Sequence, residues 1–252
     1  MNSSRDTWIL EKLSVKGTIS VKDIAEQHNI SLESARRDLR RLSKTGALIR
    51  THGGAISKNK SDVGHSFQSR QRSNTHPKKS LAENVVKHIY EGSIIGLDAS
   101  STSWYFAQLM PDIPCTVITN SMYNVQALAE KKNIEIIATG GVFSEKYFGF
   151  YGPLAERMLN QIHIDVGIFS CVGLDNEGNI WESNELNASI KKKFMRVCER
   201  KFLLADSSKF GKRNLIQLAP LSEFDTLFVE KKPNVELVNY AQENGVAINF
   251  KS

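Results

Sequence analysis

The chain has 252 residues, enough for two modest domains, and its 40 % hydrophobic and 24 % charged content is that of a globular protein. Residues 1–80 carry 16 Lys and Arg against 7 Asp and Glu, a net +9, whereas residues 81–252 carry 17 against 20, a net −3, so nucleic acid is expected at one end and a different partner at the other. No apolar run approaches the roughly 20 residues of a membrane span, and MNSSRDTWILEKL lacks the marks of a signal peptide, so a membrane partner is excluded and a cytoplasmic protein is expected.

In chain order, RDTWILEKLSV places Trp8, Ile9, Leu13 and Val15 near helical spacing ahead of the breaker Gly17. A second helix follows, with Val21, Ile24, Ala25 and His28 on one face, Ser20 as N-cap and Asn29 at its end. Ser31 caps a third helix, with Ser34 in place of the Glu of a full capping box, and Gly46 closes it after Leu42. ALIRTHGGAIS reads as two short strands around the His52-Gly53-Gly54 turn. Three short helices and a small hairpin predict a winged helix-turn-helix domain over residues 1–57. Residues 58–79 are polar, basic and poor in apolar side chains, and are expected to form a linker with no fixed core.

The remaining stretch, 80–252, alternates. LAENVVKHIY is helical, SIIGLD is a buried strand, and the second half of ASSTSWYFAQLM is a helix. Strand CTVIT, helix SMYNVQALAEK, strand IEIIAT, loop GGVFSE, helix LAERMLNQI and strand VGIFS follow. A turn at LDNEGN leads to helix NASIKKKFMRVCER, strand KFLLAD, a loop and strand TLFVE. This rhythm predicts a parallel α/β sheet with helices on both faces. Cys115, Cys171 and Cys198 lie far apart with no C-x-x-C, which argues for buried thiols in a reducing compartment, with neither a disulfide framework nor a zinc site.

On the third helix, Leu32, Ala35, Leu39 and Leu42 fall within about 80° of arc, with Arg37 opposite, Arg40 and Arg41 beside it and Arg36 at the edge. A solvated helix face is the plain alternative. The helix and tight turn before it, and Lys44, Arg50 and His52 after it, favour a helix that enters the major groove. The guanidinium fork suits both phosphate oxygens and the guanine edge. The candidate DNA contacts are Ser31, Glu33 and Ser34 at the helix start, Arg36, Arg37, Arg40 and Arg41 along it, and Arg50 and His52 on the wing. Asp38, among arginines, orients one of them rather than touching DNA.

This region resembles the N-terminal domain of the DeoR family of bacterial transcriptional regulators. Ile30-Ser31, Arg36-Arg37-Asp38-Leu39 and His52-Gly53-Gly54-Ala55 match that family's pattern over some 45 residues, with Ser34 and Ala35 in place of the usual Thr and Ile. Phe67, Arg70, Lys78 and Leu81-Ala82 also fall at the family's spacing. The resemblance implies a Rossmann-like sensor domain similar to ribose-5-phosphate isomerase and glucosamine-phosphate deaminase. It also implies a homo-oligomeric repressor of a carbohydrate-utilisation operon, a dimer or tetramer bound to double-stranded operator DNA and released by a phosphorylated sugar. No cofactor and no metal are implied.

Independently of the resemblance, polar residues gather at the ends of five expected strands: Asp98 with Ser100, Ser101 and Thr102; Thr119 and Asn120; Gly140 and Gly141; Gly173; and Asp206 to Lys209. Ligands of an open parallel sheet bind outside these carboxyl ends. Hydroxyls and free N–H groups at a helix start attract an anion, Lys191 or Lys209 could neutralise it, and Asp98, Asn120 and Asp206 could take sugar hydroxyls. By resemblance, Asp98, Thr102, Thr119, Asn120, Gly140, Gly141, Lys191, Asp206, Ser208 and Lys209 match family positions. Two positions depart: Ser100 replaces a Gly, and Asn187 stands where an acid usually precedes the lysine, leaving Glu185 as the nearest acid.

The competing reading is a sugar-phosphate isomerase- or deaminase-like enzyme with a DNA-binding appendage, for which Asp98 and Asp206 are the candidate bases. A transcriptional activator on the same scaffold is a third. No catalytic triad, HExxH or Walker A motif is present, so no catalytic residue is assigned.

Overall fold

The computed structural model of the protein describes residues 4–16, 18–51, 53–57 and 62–250. The N-terminal part holds α1 (Ser4–Lys16), β1 (Thr18–Ser20), α2 (Val21–His28), α3 (Leu32–Lys44), β2 (Leu48–Thr51) and β3 (Gly54–Ser57), with the strands in antiparallel order β1-β3-β2. Three residues are too few to show periodicity, so β1 escaped the reading of the sequence. Ile9, Leu13, Ile24, Ala35, Leu39, Leu42 and Leu48 form the core. Ser20 and Asp23 close a full capping box, with bonds of 3.0 and 3.2 Å. Asn29 adopts the left-handed conformation at φ 48° and ends α2, which sets up the turn into α3. Gly54 admits no side chain, because a Cβ there would lie 2.0 Å from the carbonyl oxygen of Ile19 on β1.

Leu32 departs from the expected apolar stripe. It is 47 % exposed, since the first turn of α3 projects beyond the core. The buried stripe is Ala35, Asp38, Leu39 and Leu42.

The linker expected over 58–79 also differs. From Asp62 onward the chain packs on the α/β part. Asp62 bridges to Asn184, and the Val63 amide donates to the Ser183 carbonyl at 3.1 Å. Then come α4 (Phe67–Arg72) and α5 (Thr75–Val85). Phe67 is fully buried, stacked on Tyr123 at 4.2 Å and edge-on to Trp104. A polar composition hid one large aromatic anchor.

Next follow β4 (Ile94–Leu97), α6 (Ser101–Leu109), β5 (Cys115–Thr119), α7 (Met122–Leu128) and β6 (Ile134–Ala138). The expected loop GGVFSE contains β7 (Val142–Ser144), which pairs with β8 (Gly149–Tyr151). After α8 (Pro153–Leu159) and β9 (Ile164–Ser170), β10 (Gly173–Leu174) and β11 (Asn179–Glu182) lead to α9 (Glu185–Val197) and β12 (Cys198–Leu204). The chain ends with β13 (Ile216–Pro220), β14 (Thr226–Val229), α10 (Val235–Glu243) and β15 (Ala247–Phe250). The main sheet is parallel, in the order β15-β14-β12-β9-β4-β5-β6. A small antiparallel sheet, β10-β11-β13, stands beside it. Both faces of the main sheet are covered: Ile168 and Phe169, neighbours on β9, belong to opposite core clusters. All three cysteines are free and buried. No helix among the described residues is long and apolar enough to cross a membrane.

From β4 the chain runs outward to β5 and β6, while β9 returns on the other side of β4. The crevice between β4 and β9 is therefore the switch point at which such sheets bind ligands.

Phe67→Ala should destabilise the α/β part by about 3–5 kcal/mol, the cost of emptying a filled aromatic site. Urea unfolding measures it, and a change within about 0.5 kcal/mol would restore the linker reading.

Candidate nucleic-acid interface and effector cavity

On α3, Glu33, Arg36, Arg37, Arg40 and Lys44 all fall within about 100° of arc, opposite the buried stripe, and all are exposed. Ser31 caps the helix by accepting from the Ser34 amide at 3.1 Å, and its hydroxyl lies 3.0 Å from that of Ser34. Glu33 pairs with Arg36 at 3.4 Å and with Arg40 at 3.2 Å. Arg37 has no ion-pair partner among the described residues. Arg50 is exposed on β2, and His52 lies outside the described residues.

Arg41 stands apart from the other expected DNA-facing arginines, half exposed but tied to buried acids. It lies at the other edge of the helix and donates two hydrogen bonds, 2.6 and 2.7 Å, to the fully buried Asp6 of α1, and one of 3.1 Å to Asp38. Asp38 also pairs with Arg5 at 2.7 Å. These contacts fix the angle of α3 against α1, and Asp38 orients arginines as expected.

At the β4–β9 crevice lies a cavity of about 490 Å³, a size suited to a small metabolite. Its floor is an ion cluster. Lys191 of α9 pairs with Asp98 at 3.1 Å and with Glu182 of β11, and donates to the Ser170 carbonyl at the end of β9. Burial opposes the charge on Lys191, but Asp98 and Glu182 outweigh it and raise its pKa. Burial would likewise push Asp98 up, yet Lys191, Ser103, Ser100 and the Ser170 amide hold it below the usual carboxylate value. Asp98 Oδ1 accepts from the Ser100 amide at 3.0 Å and the Ser103 hydroxyl at 2.5 Å, and Oδ2 accepts from the Ser170 amide at 3.0 Å. Asp98 is fully buried and fully occupied, so it positions the start of α6 and is not free for a sugar hydroxyl.

Ser100, Ser101 and Thr102 line the cavity, as do Lys191 and Lys209. Lys191, expected as a counter-charge to the ligand, is already paired with two acids. Thr119, Asn120, Gly140 and Gly141 do not line the cavity. The Thr119 hydroxyl donates to the Leu97 carbonyl at 2.8 Å, and the Asn120 amide to the Phe150 carbonyl at 3.1 Å. Gly140 and Gly141, at φ 63° and 110°, make the turn into β7. Asp206 accepts from Asn74 at 3.2 Å and from Ser208, and faces Lys209 at 3.8 Å. It supports the wall from behind. Glu185 is exposed on the first turn of α9 and lies away from the cavity. The acid beside Lys191 is Glu182, and Asn187 instead accepts from the Tyr151 hydroxyl at 2.7 Å.

Four lining cations complete the site: Arg70, Lys78, Lys209 and Lys212. Arg70 and Lys78 come from α4 and α5. The Lys78 ammonium donates to the carbonyls of Arg70 at 2.5 Å and Ser73 at 2.7 Å, which leaves one of its three donors. Burial, then the Lys209 charge, lower Lys78 to about 8, with Arg70 adding to the effect. Burial and Lys209 also lower Lys212. Like charges gathered this closely disfavour one another's charged form, and an anion between them relieves that. Arg70 and Lys78 were visible in the sequence only through their family spacing, and nothing local marked Lys212.

A family model described as the DeoR-like helix-turn-helix domain matches residues 5–61, and one described as the DeoR C terminal sensor domain matches residues 73–231. A Haemophilus influenzae protein named L-fucose operon activator is 51 % identical over 242 residues, covering 96 % of this chain and 97 % of its own. The HTH-type transcriptional repressor GlcR of Bacillus subtilis is 31 % identical over 240 residues, covering 95 % and 93 %. Among solved structures, ribose 5-phosphate isomerase A from Methanocaldococcus jannaschii aligns over 55 % of each chain with a TM-score of 0.42 and 16 % identity.

Arg37→Ala should weaken DNA binding by about 1–3 kcal/mol and leave the melting temperature unchanged, whereas Arg41→Ala should lower the melting temperature by several degrees. Gel shifts and thermal melts on both variants separate the two roles, and the reverse pattern would refute the assignment. Lys78 provides a pH test. Its native pKa lies below the free value, so between about pH 8 and 10 the unfolded chain binds more protons and the native state gains stability as pH rises. The stability difference between wild type and Lys78→Met should therefore climb across that window, and a flat difference in urea titrations would contradict it.

Proposed function

The chain belongs to the DeoR family of transcriptional regulators, and on that premise we propose that it controls a carbohydrate-utilisation operon, binding operator DNA through α3 and the wing and responding to a phosphorylated sugar held in the β4–β9 cavity. The observation that carries this reading is the cavity itself. Lys78, Lys209, Lys212 and Arg70 supply positive charge there, and Ser101 and Thr102 supply hydroxyls at the start of α6. A phosphate has the charge and the acceptors to satisfy both. Asp98 and Glu182 are tied to Lys191, so neither stands ready as a general base, which favours a sensor over an isomerase. Helix-turn-helix proteins read repeated half-sites as dimers, which supports a homo-oligomer.

The family resemblance implies repression. The similarity to a relative named an activator, at 51 % identity, favours activation instead. A reporter fused to the neighbouring promoter, compared with and without the regulator, decides the sign.

A thermal-shift panel of sugar phosphates and their unphosphorylated sugars tests the effector. A sugar phosphate at about 100 times its Kd should stabilise the protein by about 2.7 kcal/mol, the free sugar should not, and Lys209→Ala should lose most of the shift while keeping DNA binding. A panel in which no phosphorylated compound raises the melting temperature would reject the cavity as the effector site.

A further inference from the structure

The cavity is not walled by the α/β sheet alone. Gly64, Arg70, Asn74 and Lys78, from the stretch expected to be a passive linker, line it together with Lys209 and Lys212 from the loop after β12. That stretch is fastened where it begins. Asp62 accepts from the Tyr147 hydroxyl and pairs with Lys146 at 3.0 Å. The Phe67 amide donates to the Lys146 carbonyl at 2.8 Å, and the Arg70 guanidinium lies 5.6 and 5.5 Å from the ring centres of Phe67 and Tyr147. The gripping loop is strained: Phe148 sits at φ 50°, a left-handed conformation unusual for a bulky residue. It is held there by Tyr123, whose ring is 4.6 Å away, and by the Met122 amide, which donates to its carbonyl at 2.9 Å. Strain of this kind persists where neighbours over-determine it, and it clusters at ligand clamps and switch segments. In sequence, only residues 58–61 separate Asp62 from Ser57, the end of the wing.

We propose that residues 62–78 act as a transmission strap: an anion in the cavity is held jointly by Arg70 and Lys78 of the strap and by Lys209 and Lys212 of the body, and its binding reaches the winged helix through the latch that Asp62 forms with Tyr147 and Lys146. This inference rests on the effector reading above. A ligand shifts a conformational equilibrium only through contacts that differ between its states. Here the differing contacts are those of Arg70 and Lys78. Lys78 of the strap faces the like charge of Lys209 on the body, offset in part by Asp206, and an anion between them turns that repulsion into a bridge.

Amide hydrogen exchange on the full chain tests this, with inorganic phosphate as the probe and chloride at equal ionic strength as the control. Phosphate should slow amides within 66–74 by about fivefold or more, change exchange within 18–57 by about twofold or more, and leave β4 unchanged. Protection confined to 100–103 and 206–212 would overturn the strap while leaving the anion site intact. No protection anywhere would overturn both the strap and the effector reading beneath it. Strap protection without any change in 18–57 would overturn the transmission. Tyr147→Phe keeps the ring and removes the hydroxyl, and the partly exposed Asp62 can be replaced in Asp62→Ala without emptying a core site. Both variants should keep the protection at 100–103 and lose the change in 18–57. If both respond as the wild type does, the latch is wrong.

Discussion

The architecture of the sensing part depends on one buried cation. Lys191 reaches from α9 to the ends of two parallel strands, bonding Asp98 after β4 and the Ser170 carbonyl at the end of β9, and it meets Glu182 from the small antiparallel sheet. Two acids and one lysine taken out of water are costly, and pairing repays that cost only when every donor and acceptor is met. Here they are met: Asp98 alone gathers two backbone amides and a serine hydroxyl besides the lysine. The value of the cluster is therefore positional. It fixes the start of α6 against β9 at the point where strand order reverses, so the cavity floor is organised by the protein's own charges.

The winged helix repeats that logic on a smaller scale. Asp6 and Asp38 are buried acids, and Arg41 and Arg5 pair with them from the rim. The outcome is a division of labour among arginines that look alike in sequence. Arg41, at one edge of α3, is part of the packing. Arg36, Arg37 and Arg40, about 100° or less from one another, face outward. A buried acid on another helix, Asp6, distinguishes Arg41 from Arg36 and Arg40, whose partner is the exposed Glu33 of their own helix.

This explains what the sequence could and could not reveal. The parallel sheet was legible because its strands are continuous runs of β-branched and aliphatic residues, and the winged helix because its caps and turn residues sit at fixed offsets. The shortest strands, such as β1 of three residues and β10 of two, carry too little pattern to detect. The cavity was legible in outline, since Ser100 to Thr102 and Lys209 do line it. Partnerships across the fold were not. Glu182 and Glu185 differ by three positions, and only the path of β11 reveals that the first meets Lys191 while the second faces solvent. Thr119 and Asn120, at a strand end like Asp98, bond backbone carbonyls of neighbouring strands, Leu97 on β4 and Phe150 on β8, because β5 lies outside the switch point.

The basic front half takes on a different meaning in the fold. Its net +9 looks like a single footprint for nucleic acid. Residues 1–57 hold 10 Lys and Arg against 6 acids, a net +4, whereas residues 58–80 hold 6 against 1, a net +5. More than half of the excess therefore lies in the connecting stretch, where Arg70 and Lys78 line the cavity. DNA and a phosphorylated metabolite are both anions, and net charge cannot separate them. Burial can. The arginines of α3 are exposed, so their pull on phosphates is screened by salt within about 8 Å. Lys78 is 3 % exposed and keeps its field inside a crevice that admits a small anion and excludes a duplex. In the proposed function one kind of side chain serves two partners, and the depth at which each cation sits selects between them.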